Sequence, residues 1–101
     1  MSIDKKIAEK LVALAEKEIE ESESLIDVFQ TNLKCAEEKI QRYAFVETIG
    51  LDFEPIIKRF RKTLKDEKDS KKSFNDKINT EYVRIEELKY FIEEIRGAFT
   101  L

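Results

Sequence analysis

The side chains that most often carry chemistry in a small helical protein are scarce in this chain, and those present lack partners. Histidine is absent, which removes the commonest general base and the commonest transition-metal ligand together. The single cysteine, Cys35, has no imidazole to activate it as a nucleophile. Its place beside an apolar helical seam reads as that of a small buried hydrophobe. Carboxylates recur at helical spacing, as in Glu16 with Glu20, Glu37 with Gln41, Glu86 with Glu87 and Glu93 with Glu94. Carboxylate-bridged metal sites in helix bundles need a Glu-x-x-His element projecting inward, whereas these acids lie off the apolar positions and alternate with lysine. Gly50 and Gly97 stand alone, so no glycine-rich loop is available to cradle phosphate. No catalytic residue, metal site or cofactor is expected, and the chain reads as a non-enzyme.

Charge distribution is the next source of function. The formal net charge of −3 is too small to indicate a nucleic-acid binder by itself, but between residues 58 and 72 eight bases face only three acids. Lys58, Arg59, Arg61, Lys62, Lys65, Lys68 and Lys72 form a candidate basic face, with Lys71 beside it. Clustered lysine and arginine are all that phosphate contacts require, so nucleic acid is one expected class of partner. An acidic group, Glu16, Glu18, Glu20, Glu21 and Glu23, together with Glu86, Glu87, Glu93 and Glu94, occupies the parts of the chain far from that segment in a folded-back arrangement. Charge therefore separates along the sequence.

The elements that position these groups follow from three breakers. Gly50, Pro55 and Gly97 leave two long stretches free of glycine and proline. With 101 residues and 41% of them charged, the composition is that of long helices in one domain with a thin core. We expect a helix over 3–49, a turn over 50–55 and a second helix over 56–98. The second stretch keeps one heptad phase through Ile57, Phe60, Leu64, Glu67, Lys71, Phe74, Ile78, Glu81, Ile85, Leu88, Ile92, Ile95 and Phe99. The polar run KDEKDSKKS, residues 65–73, does not break that phase and is read as helix. In the first stretch the seam runs through Ala15, Ile19, Ser22, Ile26, Phe29, Leu33, Ala36, Ile40 and Tyr43. Ile3, Ile7, Leu11 and Leu14 lie one residue out of phase, which predicts a stutter.

Folding the chain about residues 51 and 52 sets Tyr43 against Phe60, Phe29 against Phe74 and the polar Ser22 against the polar Glu81. The fold class is all-α, a long antiparallel helical hairpin of coiled-coil type. Its alternative is a monomeric three- or four-helix bundle with an internal cap at Ser22 or Ser24. A two-helix hairpin buries one stripe per helix, and Val12, Leu25, Val28, Cys35, Phe45, Ile56, Val83, Tyr90 and Phe91 fall off the seam. That surplus predicts a homo- or hetero-oligomer completing a four-helix bundle. The turn is also apolar, making Phe45, Leu51, Phe53, Ile56 and Phe60 a candidate protein-binding tip.

In outline the chain resembles the small helical hairpins of type VII secretion systems. Tyr82, Val83, Arg84, Ile85 and Glu86 match the Tyr-x-x-x-Asp/Glu element those proteins carry late in the second helix. The family's Trp-x-Gly turn is replaced by TIGLDFEP. The resemblance implies an escort or secreted partner protein. No apolar run approaches a membrane span and no signal peptide is evident, so a cytoplasmic location is expected, with signal-independent export still open. The functional expectation is a protein-protein interaction module, an adaptor, escort or assembly component. A nucleic-acid binder through residues 58–72, or a small inhibitor or immunity protein docking on an enzyme, are its alternatives.

Overall fold

A computed structural model of the chain describes residues 4–44 and 54–100. They form two helices, α1 (Lys5–Ala44) and α2 (Glu54–Phe99), arranged as an all-α hairpin. The alternative of a three- or four-helix bundle is not seen among the described residues: α1 runs unbroken through Ser22 and Ser24, because Ser22 is buried on the inner seam and is not placed to cap anything. Residues 65–73 are helical throughout. No described helix is long and apolar enough to cross a membrane.

The helix ends have local causes. Asp4 caps α1, its Oδ1 accepting the Lys6 amide at 3.2 Å while its carbonyl accepts the Ala8 amide at 3.0 Å. α2 opens on Glu54 and Pro55, an acid where the helix dipole favours one and a residue whose missing amide hydrogen costs nothing there. Arg42 and Arg96 occupy the last turns, where cations are favoured. Gly97 does not end α2. The helix continues to Phe99, and Thr100, at φ 53°, takes the left-handed conformation that closes it.

The chain divides into two compact units, Met1–Asp27 with Asn79–Leu101, and Val28–Ile78. In the first, Ala8, Val12 and Ala15 of α1 pack with Ile92 and Ile95 of α2, flanked by Leu11, Ile19, Leu88 and Phe99. Small residues on one helix facing isoleucines on the other let the backbones approach while the branched side chains fill the space. Each buried isoleucine contributes about 1.5–3 kcal/mol.

This packing corrects the expected stutter. The heptad phase set by Ala15 continues back through Val12 to Ala8, and Ile7 and Leu14 are 51% and 60% exposed. Holding the phase keeps α1 regular and costs only the burial of two larger side chains, which the interior gives to Ala8 and Val12 instead. Val12, expected off the seam, is on it, while Ile3 lies outside the described residues.

In the second unit, Ala36, Leu64 and Ile78 are buried and the seam is otherwise half-buried. The Tyr43 and Phe60 rings meet with centroids 5.8 Å apart at 41°, as the fold about residues 51 and 52 requires. Phe29 and Phe74 are each half-buried, and the Lys77 ammonium lies 5.7 Å from both ring centroids. Thr63 satisfies its hydroxyl on the Arg59 carbonyl at 3.1 Å, within the helix.

Ion pairs join the helices in each unit, Glu16 to Arg96 at 2.9 Å in the first, and Lys39 to Glu67 and Glu37 to Lys71 at 3.7 Å in the second. Each reaches a later α2 residue than the one directly opposite. Side chains lean toward their own helix N-terminus, so on antiparallel helices two long side chains meet when their Cα atoms are offset in that sense.

Candidate protein-binding surface

Either side of the inner seam, each helix carries a flanking row, and the two rows of α1 differ sharply. The row one residue after each seam position reads Glu9, Ala13, Glu16, Glu20, Glu23, Asp27, Gln30, Lys34, Glu37 and Gln41. The corresponding row of α2 carries Lys58, Arg61, Lys65, Lys68 and Lys72 in the second unit and Tyr82, Glu86, Lys89, Glu93 and Arg96 in the first. In an antiparallel pair these two rows share one flank, and the Glu16 to Arg96 bond crosses it. This flank is charged and, in the first unit, bridged by that pair.

The opposite flank carries the row one residue before each seam position. On α1 it reads Ile7, Leu11, Leu14, Glu18, Glu21, Leu25, Val28, Asn32, Cys35, Lys39 and Arg42. Ile7, Leu14, Leu25 and Val28 are exposed, and Leu11 is half-buried. Within the first unit, Phe91 occupies the matching row of α2 and is also exposed. A groove of about 370 Å³ opens on this flank, lined by Glu18, Glu21, Ser22, Leu25, Arg84, Glu87 and Leu88. It confirms that the preceding rows of α1 and α2 lie on the same side.

The buried polar residues of the first unit lie just beneath. Ser22 is 2% exposed and Glu81 9%. Both occupy the inner seam as expected, yet the Oε2 of Glu81 accepts no hydrogen bond. The Arg84 guanidinium stands 4.0 Å away, close enough for charge attraction and too far for a hydrogen bond.

Of the five residues expected at the tip, Phe45, Leu51 and Phe53 lie outside the described residues. Ile56 and Phe60 are brought together with Tyr43, Pro55, Arg59 and Thr63 around a groove of about 570 Å³ in the second unit. Ile56 is exposed and Phe60 half-buried against Tyr43. All seven residues of the candidate basic face are exposed, but they do not form one patch. Lys58, Arg61, Lys65, Lys68 and Lys72 follow the seam on the charged flank, Arg59 precedes it and lines the tip groove, and Lys62 points away from the seam.

Cys35 is exposed, contrary to its expected burial, because it precedes the seam residue Ala36 and α1 does not rotate to hide it. Ile7 and Leu14 were hidden from sequence reading by their assignment to the inner seam. Continuing the phase of Ala15 backwards would have placed them on this flank. Among the described residues no group of three His, Cys, Asp or Glu side chains is disposed to hold a metal ion. Comparison with protein-family models, curated proteins and solved structures finds no match for the chain.

Proposed function

We propose that the chain is a non-enzymatic protein-binding module that acts through helix packing, as an adaptor, escort or assembly component. The observation that carries this reading is the asymmetry of the two flanks in the first unit. One is bridged by Glu16 and Arg96, while the other exposes Ile7, Leu14, Leu25 and Phe91 beside the half-buried Leu11. Scattered exposed hydrophobes need no explanation, but a row repeating at spacings of three and four on one side of a helix is the pattern of a face that packs against another helix. Large apolar and aromatic anchors on such a face supply most of the binding energy in helix-in-groove complexes.

Cross-linking in the native cell, read out by mass spectrometry, tests this. Cross-links from lysines flanking the face, such as Lys10 and Lys17, should reach a protein chain, and the double substitution Leu14→Asp with Phe91→Asp should remove them while far-UV circular dichroism stays helical. Cross-links that persist unchanged in the double variant would remove the face from the binding reaction and the reading with it.

A further inference from the structure

We infer that this face takes an amphipathic helix of a basic partner, whose apolar stripe packs on Ile7, Leu11, Leu14 and Phe91 and whose lysine or arginine side chains enter the groove beyond them. The inference rests on the helix-packing reading above and deepens it by naming the chemistry of the partner. The face lies wholly within the first unit. Its row on α1, from Ile7 to Leu25, runs about 27 Å at 1.5 Å per residue and changes character along the way. Three apolar residues come first, then Glu18 and Glu21, then Leu25. Beside the two acids, Arg84 and Glu87 of α2 complete the groove.

Charge decides the occupant. From Ile7 to Leu25 on α1 and from Thr80 to Ala98 on α2, the two rows carry four acids, Glu18, Glu21, Glu87 and Glu94, against one base, Arg84. Glu18, Glu21 and Glu87 make no ion pair among the described residues, and Arg84 stands 4.0 Å from the buried Glu81. A second copy of the face would bring the same surplus of acid, and an anionic lipid surface or a nucleic acid would be repelled as well. Long basic side chains suit the groove, because their stems can lie along Leu25 and Leu88, which line it, while their head groups reach the carboxylates. Exposed charge pairs add little affinity, so the apolar anchors hold the partner and the acids select its sign.

Binding of synthetic peptides to the full chain, followed by fluorescence anisotropy, tests this. The probe is an alanine- and glutamine-based helix of about 21 residues with leucine at i, i+4, i+7 and i+18 and arginine at i+11 and i+14, the spacing of the α1 row itself. It is made in both sequence orders, because the face is bordered by helices that run in opposite directions. At least one order should bind, and replacing its arginines by glutamate should weaken binding at least about tenfold. In the Glu18→Lys, Glu21→Lys variant the preference should invert, the acidic peptide becoming the tighter. Both positions are exposed, so this variant should keep its helical circular dichroism. Leu14→Asp with Phe91→Asp should bind neither peptide.

Equal affinity for the basic and acidic peptides, or a preference that fails to invert in the charge variant, would overturn the choice of a basic partner. So would a dimer of twice the chain mass of 11.9 kDa, or capture by phosphatidylserine vesicles, that is lost in Leu14→Asp with Phe91→Asp. If no peptide binds the unmodified chain the inference fails, and cellular cross-links to a protein that vanish in the same double variant would leave the helix-packing reading standing. Their absence as well would bring down both.

Discussion

Glu81 carries a buried oxygen, Oε2, without a hydrogen-bond partner, and Ser22, more deeply buried in the same unit, does not meet it. Both were legible as polar interruptions of an apolar seam, because the heptad phase runs through them without slipping. What could not be read from the sequence was whether the two side chains satisfy each other, which depends on ångström-scale offsets that a heptad count does not resolve. A buried acceptor without a donor costs about 1–3 kcal/mol, and the attraction of an Arg84 side chain that is 60% exposed is screened by solvent. Glu81→Leu should therefore raise stability by about 1–2 kcal/mol in chemical denaturation, since an apolar residue of similar size removes the unmet demand. A fall of 1 kcal/mol or more would mean that Glu81 holds something the polar-seam account omits.

At the scale of the element, α2 was readable along its whole length, and all thirteen heptad positions assigned to its seam are buried or half-buried. α1 was readable from Ala15 onward and misread before it. There, Ile7 and Leu14 outbid Ala8 and Val12 in hydrophobicity, while the backbone geometry of a regular helix decided in favour of the continuous phase. The segment 65–73 shows the converse, a stretch whose composition suggests a loop yet whose phase holds it in the helix. Its seam positions are Glu67 and Lys71, each half-buried and bridged across to Lys39 and Glu37 at 3.7 Å, pairs worth no more than about 1 kcal/mol each. The stretch around Ile85, Ile92 and Ile95 is held by buried isoleucines. Native-state hydrogen exchange should accordingly find the amides of 65–73 exchanging at least about tenfold faster than those of 85–95, because local opening follows local burial. Equal protection along α2 would show that opening is governed by helix continuity and not by what each stretch buries.

For the whole molecule, the consequence of these thin seams is that folding and association draw on the same surfaces. A chain of 101 residues with ten buried hydrophobic side chains among the described residues has little margin beyond its conformational entropy, and covering the row from Ile7 to Leu25 adds apolar burial that a lone chain cannot obtain. A ligand that binds only the folded form stabilises it by mass action, about 2.7 kcal/mol when its concentration is a hundredfold above the dissociation constant. When the ligand is a basic amphipathic helix, its concentration sets that gain. The midpoint of thermal unfolding should then climb with the concentration of the arginine-bearing peptide, by several degrees over a hundredfold range, given about 4–8 °C per kcal/mol for a domain of this size. The Leu14→Asp, Phe91→Asp variant should melt at one temperature throughout that range, since its face no longer binds the peptide while its inner seam is untouched. Scanning calorimetry of both proteins at matched peptide concentrations separates the cases: parallel, concentration-independent melts would place the stabilising contacts within the chain alone, and a slope confined to the unmodified protein would place them between chain and partner.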